Sequence, residues 1–219
     1  ENCPKCLTKR FSLLITLEFG TKNKMHNKIL NIQFSRLKPE RFSNDIKTFL
    51  SLGIVSKDVW LAGGALRTFI NYSDVINDFD IFFKDFGKLQ ETKDKLESHG
   101  FELYYECPEG KLYSYKKDEQ KVQLITEREY PSPLVLILSF DFGACCGATD
   151  GENLILHTKM VQDIRTKVLS VINISYPVAS VKRLVKYAAK GFKVWKAAEE
   201  IVRGLAPNLS EDQMRHYID

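Results

Sequence analysis

Asp78 and Asp80 flank Phe79 in the segment NDFDIFF, at the start of an otherwise apolar run. Residues two apart on a strand project from the same face. The two acids are therefore expected side by side, with Phe79, Ile81 and Phe83 pointing the other way into a core. Two carboxylates a few ångströms apart repel, and one pKa rises unless a cation sits between them. Magnesium suits that place: it takes one or two carboxylates and fills its shell with water and substrate phosphate. A pair of such ions is a common clamp for in-line phosphoryl transfer. The bland alternative is an exposed strand start with both acids solvated, and D-x-D alone favours it.

The residues upstream change that balance. The stretch LAGGALRTFI places Gly63 and Gly64 between an apolar segment and a short helical one. Bare glycine backbone lets N–H groups approach a phosphate, and the helix N-terminus that follows favours negative charge. Arg67, one turn later, can add a charge-assisted bond to a phosphate oxygen. Each feature alone has an ordinary reading as a tight turn or a surface arginine. Together, the order strand, Gly-Gly, helix with Arg, loop, strand with D-x-D brings a phosphate cradle and a metal site to one end of neighbouring strands.

The elements that position these residues follow from periodicity and turn signals. ILNIQF alternates as a strand, and KPERFSNDIKTFLSLGI reads as a helix with Pro39 near its start and Gly53 after its end. DVWLAG is a short buried strand, GALRTFI a short helix and FDIFF the next strand. KLQETKDKLESHG is an amphipathic helix stopped by a glycine. FELYYE, LYSYKK and KVQLIT are three strands, SPLVLILSF a helix, LILH a strand and TKMVQDIRTK a short helix. From Pro177 the pattern is helical, and a last helix starts at Ser210 with Gln213 completing a capping box. The expected class is α+β: a mixed sheet with flanking helices, followed by a helical tail. The expected division is an N-terminal segment (1–40) of unassigned role, a main domain (41–172) and a helical C-terminal region (173–219).

Composition bounds the rest. The chain has 219 residues, 44% apolar and 27% charged, with net charge +4. That is an ordinary globular balance which permits a polyanionic partner without demanding one. No apolar run approaches the roughly 18 residues needed to cross a bilayer, and no secretory pattern opens the chain. The first residue is Glu, so something upstream is expected to be absent or processed. Five cysteines, two of them adjacent, make a poor disulfide framework and point to a reducing compartment such as the cytoplasm. Cys3 and Cys6 form CPKC, half of a zinc knuckle, with His26 a third candidate ligand and no fourth; the alternative is two free thiols on a frayed terminus.

The stretch from Leu61 to Phe83 resembles the head of the polymerase-β-like nucleotidyltransferases, in the branch of bacterial poly(A) polymerases and CCA-adding enzymes. That branch opens with an apolar strand, G-G-x-x-R, a short helix and D-x-D. The likeness continues in order from about residue 58 to 192. KVQLITERE sits where the family has a third active-site strand ending in an arginine, which Arg128 matches. SFDFGACCGATDGENLILH resembles R-R-D-F-T-x-N-A through Asp141 and Phe142. VQDIRTKVL resembles D-L-x-x-K-x-L through Asp163, Ile164 and Lys167. VKRLVKYAAKGF resembles the arginine-rich neck helix through Arg183, Lys186 and Phe192.

The resemblance implies a nucleotidyltransferase head followed by a short helical neck. It implies a two-ion magnesium site on Asp78 and Asp80, and nucleotide contacts from Gly63, Gly64, Arg67, Arg128 and Asp141. It implies transfer of a nucleoside monophosphate from a nucleoside triphosphate to an acceptor hydroxyl, an RNA 3′-end first among them. The departures are specific. Ser139 and Phe140 replace the two arginines before Asp141, Cys145 replaces an asparagine and Gln123 stands at the third acidic position. The neck's Glu-Asp-x-x-Arg, which reads the incoming base in CCA-adding enzymes, falls at Tyr176, Pro177 and Ser180. The chain also ends soon after the neck, so a CCA-adding enzyme is not expected. The alternative function is a catalytically degenerate fold acting as a binding or scaffold subunit.

Four further groups are weighed. Lys182, Arg183, Lys186, Lys190, Lys193 and Lys196 crowd the late helices, where one basic face could track an RNA backbone or simply be solvated. Tyr104, Tyr105, Tyr113 and Tyr115 read as a half-buried sheet rather than a base-stacking platform. His99, His157 and His216 read as surface or capping residues. Cys145 and Cys146 read as buried small residues rather than nucleophiles.

Overall fold

The computed structural model describes residues 29–33, 42–72 and 74–205. Cys3, Cys6, His26, Pro39, His216 and the expected helix at Ser210 lie outside the described residues. The element order is β1 (Ile29–Gln33), α1 (Asn44–Ser51), β2 (Val59–Ala62), a 3-10 helix (Gly63–Phe69), β3 (Phe79–Phe83), a 3-10 turn (Phe86–Lys88), α2 (Leu89–Ser98), β4 (Glu102–Glu106), β5 (Leu112–Lys117) and β6 (Gln120–Ile125). There follow α3 (Pro133–Leu138), a 3-10 turn (Gly143–Cys145), β7 (Gly147–Thr149), β8 (Asn153–His157), α4 (Thr158–Thr166), α5 (Pro177–Ala189) and α6 (Trp195–Leu205).

Among the described residues the strands form one eight-stranded sheet in the order β1-β8-β7-β2-β3-β6-β5-β4. The β3–β6 pair is parallel and the other pairs are antiparallel. This is the expected mixed α+β arrangement, with an added strand: β7 is only Gly-Ala-Thr. It carries no apolar alternation of its own and exists because β2 and β8 flank it.

The alternation of β3 divides its side chains as expected. Phe79, Ile81 and Phe83 join Ile46 and Phe49 of α1 and Leu96 of α2 in the main core, where Phe49 and Phe79 stack with centroids 4.2 Å apart. On the other face Trp60, Ala62 and Phe82 pack with Tyr130 and with Leu136 and Ile137 of α3. Helix α1 starts later than the sequence pattern suggests, at Asn44, because the Ser43 hydroxyl accepts the Ile46 N–H and caps it.

The C-terminal helices belong to the same packing. Leu184, Tyr187, Phe192, Ala197 and Ile201 lie in the main core. Their long helical pattern is interrupted where Gly191 takes φ +79°, a conformation that glycine adopts at no steric cost.

Candidate active site

Asp80 lies near the start of β3 and Asp78 just before it. In register, Asp80 faces Ala62 on antiparallel β2 and Gln123 on parallel β6. The small Ala62 side chain leaves space, and both aspartates line a cavity of about 350 Å³. The Asp80 carboxyl is pushed up to about 7, first by its removal from water and next by the neighbouring Asp78 charge, while Lys186 and Arg183 pull it down. The expected repulsion between the two acids is therefore present in the fold.

Gly63 and Gly64 close one wall of this cavity. Gly63 has φ +82°, and a Cβ there would stand 3.3 Å from Asp80 Oδ2. Both the backbone angle and the approach of the carboxylate call for glycine. A Cβ on Gly64 would stand 2.7 Å from Arg67 Nη1, so the guanidinium lies directly against that glycine. Arg67 is buried; its Nε donates to Asp74 Oδ2 at 3.1 Å. Asp74 also accepts from Asn71 Nδ2 at 2.8 Å. The loop between Gly-Gly and D-x-D thus fixes the arginine beside the glycines.

The opposite wall is α5. Arg183, Lys186, Tyr187 and Lys190 all line the cavity, at the three- and four-residue spacings that share one helix face. The basic late helices therefore do not present one uniform outward face. Lys182, Lys193 and Lys196 are exposed and do not line the cavity, while these three cations share its lining with the aspartates. Burial lowers the Lys190 pKa, with the Arg67 and Lys186 charges acting in the same direction. Sequence spacing alone grouped these lysines, but nothing local says that the face turns inward.

Asp141 is buried against α5. Its Oδ2 accepts from Ser180 Oγ at 2.7 Å and from Arg183 Nη1, so Ser180 and Arg183 tie α5 to the rest of the fold. Arg128 lies beyond the end of β6, with its guanidinium 4.8 Å from the Tyr130 ring centroid. It lines the cavity with Glu127, Tyr130, Phe140 and Tyr176. Of these, Glu127 and Tyr130 escaped the sequence reading altogether.

Cys145 and Cys146 part company. Cys146 is buried and its thiol is pushed up by burial, whereas Cys145 lines the cavity and its thiol is held below the usual range, chiefly by a hydrogen bond from Cys146. Both were expected as buried small residues rather than nucleophiles; Cys146 is buried, while Cys145 is only partly so and faces the cavity. The β4 and β5 tyrosines do not line the cavity: Tyr104 and Tyr105 are exposed and Tyr115 is buried. His157 caps α4, its Nδ1 accepting the Lys159 N–H at 3.1 Å, and exposed His99 bonds the Leu52 carbonyl.

A model of the Gabija anti-defense 2 family matches residues 25–167, well over half the chain. The chain belongs to that family. The matched span contains the glycine pair, Arg67, both aspartates and Asp141, and stops short of α5. No curated protein matches the sequence. Among solved structures, this Gabija anti-defense 2 chain is similar to a CCA-adding enzyme in complex with CTP, with TM-score 0.59 and 15% identity over 85% of this chain and 50% of that one. It is similar to a CCA-adding enzyme in complex with ATP, with TM-score 0.57 and 16% identity over 88% and 50%. A third is the Thermotoga maritima CCA-adding enzyme complexed with tRNA, with TM-score 0.59 and 15% identity over 88% and 50%. The chain thus spans about half the length of each, and the likeness is one of fold: the Gabija anti-defense 2 chain has the expected α+β arrangement, a mixed sheet with flanking helices that resembles a nucleotidyltransferase head.

The cavity also bears on metal. Among the described residues no group of three or more His, Cys, Asp and Glu is placed to hold an ion. Asp78 and Asp80 offer two carboxylates, with the neutral Gln123 amide beside them. A buried carboxyl raised to about 7 by burial and by its neighbour is one that a divalent cation would relieve. Magnesium is satisfied by one or two carboxylates when phosphate and water complete its shell. The residues present fit it on those terms. No helix among the described residues is long and apolar enough to cross a membrane.

Proposed function

We propose that this chain is a magnesium-dependent nucleotidyltransferase, moving a nucleoside monophosphate from a nucleoside triphosphate to an acceptor hydroxyl. The observation that carries this reading is the opposition of charges across one cavity. Asp78 and Asp80 stand on the sheet, Arg67 lies against Gly64, and Arg183, Lys186 and Lys190 face them from α5. An ordinary surface cleft has no need to hold two repelling carboxylates within reach of four cations. A triphosphate has the charge to use the cations, and magnesium has the charge to use the acids.

In the reaction, Asp78 and Asp80 would hold magnesium, which supplies charge neutralisation of the phosphates and of the entering and leaving oxygens. Gly63 and Gly64 offer backbone approach, and Arg67, Lys186 and Lys190 supply charge-assisted bonds to phosphate oxygens. The acceptor oxygen forms a bond to the α-phosphorus as the bond from that phosphorus to the bridging oxygen breaks, and pyrophosphate leaves. Gln123 has no base to offer, so the hydroxyl proton passes to water. The favoured acceptor is an RNA 3′-end, reached past the mouth of the cavity.

The test is incubation with each labelled nucleoside triphosphate and magnesium against RNA, tRNA and protein acceptors. Label should reach one acceptor class with the wild type and none with Asp80→Asn. Membership of the Gabija anti-defense 2 family adds a second readout: suppression of Gabija defence should be lost with the same variant. A second reading, a degenerate fold acting as a binding subunit, is favoured by Gln123 at the third acidic position. Thermal shift separates the two. Stabilisation by a nucleoside triphosphate only with magnesium supports the enzyme, and no shift with any nucleotide supports the binding subunit.

A further inference from the structure

Cys145 and Cys146 are adjacent in sequence, yet their side chains have different surroundings. Cys145 is half-buried, packs against the main core and lines the cavity with Arg67, Asp80 and Tyr187. Cys146 is buried in the second core with Trp60, Ala62 and Ala148. The 3-10 turn nevertheless keeps the two sulfurs together. Each lies 3.1 Å from the same acceptor, the Phe142 carbonyl, and the Cys146 thiol also hydrogen-bonds the Cys145 sulfur.

A bond between the two sulfurs would reshape this turn. Consecutive Cα atoms are about 3.8 Å apart, short of the roughly 4.4–6.8 Å at which disulfides are found. A disulfide between neighbours is therefore strained, and a strained disulfide is readily reduced again. On one side the turn is fixed to the sheet: the Cys146 carbonyl accepts the His157 N–H at 2.9 Å, and Gly147 opens the β7–β8 ladder. On the other side it supports the cavity. The Phe142 ring meets the Tyr187 ring edge-on, with centroids 5.5 Å apart, and Asp141 accepts from Ser180 and Arg183. Both contacts reach α5, which brings Lys186 and Lys190 to the cavity wall. Strain in the turn thus falls on the placement of these cations.

We propose that Cys145 and Cys146 are a redox-sensitive dithiol of the cavity, which a small-molecule disulfide closes to a Cys145–Cys146 disulfide, and that closure weakens nucleotide binding. The proposal rests on the nucleotidyltransferase reading and adds a control of that site. Cys145, partly exposed and facing the cavity beside the Arg67 cation, attacks first. Its sulfur bonds one sulfur of the oxidant as the oxidant's S–S bond breaks, and one small thiolate leaves. The Cys146 sulfur then bonds the Cys145 sulfur, and the second small thiolate leaves. Each departing thiolate takes up one protein thiol proton. Two protein thiols are oxidised, and one small disulfide is reduced to two thiols.

The experiment treats the reduced full chain with glutathione disulfide. It follows the Cys145–Cys146 peptide by mass spectrometry, and the binding of ATP, CTP, GTP, UTP and inorganic triphosphate, each with magnesium. The expected result is loss of two hydrogens from that peptide and a fall in nucleotide affinity of roughly tenfold or more, both reversed by dithiothreitol. In Cys146→Ser, whose hydroxyl can still donate to Phe142, the peptide should instead retain glutathione on Cys145, because no second thiol releases it. Cys145→Ser still carries the other cysteines but cannot begin the exchange, so its nucleotide affinity should stay within about twofold through the treatment. A wild-type peptide that keeps both thiols, an exchange that stops at glutathione on Cys145, or a disulfide that leaves nucleotide affinity unchanged overturns the proposal and leaves the nucleotide site standing. If the reduced wild type binds neither the nucleotides nor triphosphate, the nucleotidyltransferase reading falls, and the redox control with it.

Discussion

At Asp80 the same feature that prepares the site strains the free protein. Its carboxyl is raised from the ordinary 3.8 to about 7, mainly by burial and then by Asp78. Below about pH 4 the group is protonated whether the chain is folded or not, and it costs nothing. Between those two values the folded chain holds a proton that the unfolded chain has released, so stability falls as pH rises through the window, and the full penalty stands above 7. Asp163, raised to about 6 by burial, acts in the same direction over a narrower range. The difference between wild type and Asp80→Asn isolates the first effect. Free of metal, Asp80→Asn should be more stable at pH 8 by about 1–2 kcal/mol, with the difference vanishing near pH 4, by denaturant melts at each pH. The variant should have lost nucleotide transfer entirely. A variant that transfers nucleotide at near the wild-type rate would remove Asp80 from the metal site. One that is clearly destabilised at pH 8 would assign it a structural hydrogen bond instead.

At the scale of elements, the short 3-10 helix and α5 face each other across the cavity and can be probed separately. Gly63→Ala puts a Cβ into a positive-φ position 3.3 Å from Asp80 Oδ2. It should cost about 1–2 kcal/mol of stability and lower turnover, because relief of the contact displaces the carboxylate. On α5, neighbours in sequence should behave differently. Lys186→Ala removes a cation from the cavity wall and should weaken nucleoside triphosphate binding by roughly tenfold. Lys182→Ala changes an exposed lysine that does not line the cavity and should leave nucleotide binding within about twofold. Equal effects of the two substitutions would mean that α5 acts only through its overall charge. Lys186 and Lys190 also bear on RNA: if the acceptor enters past them, their charge reversal should flatten the salt dependence of RNA binding.

For the whole molecule, the question is what holds the C-terminal helices on the head. Apolar contacts from Leu184, Tyr187, Phe192, Ala197 and Ile201 contribute, and the Asp141–Ser180–Arg183 cluster hydrogen-bonds α5 to the segment after α3. Asp141 is buried while Arg183 is half exposed. Asp141→Ala leaves Ser180 and Arg183 without their shared acceptor, but water can recover the arginine. The expected cost is about 1–3 kcal/mol in denaturant melts. Limited proteolysis should then cut near the start of α5 sooner than in the wild type, and nucleotide affinity should fall because the α5 cations lose their place. Unchanged proteolysis with normal affinity would show that apolar packing alone places α5.

Much of this molecule was legible along the chain because its signals are local. The turn that Gly63 requires, the alternation that sends Phe79, Ile81 and Phe83 to one side and Asp80 to the other, and the glycine stop after α2 are set within a few residues. So the order of elements and the meeting of the glycine pair with the two aspartates follow from the sequence by itself. Other facts depend on which distant segments meet. Residues 80 and 123 become neighbours only through the parallel β3–β6 register. The strand β7 forms only because two others flank it. Lys186 and Lys190 turn inward while Lys182 does not, because Leu184 and Tyr187 anchor α5 in the core. The tertiary structure also brings Glu127 and Arg128 into the cavity from beyond the end of β6. A local pattern specifies which face a side chain takes on its own element; only the packing of elements specifies what that face meets.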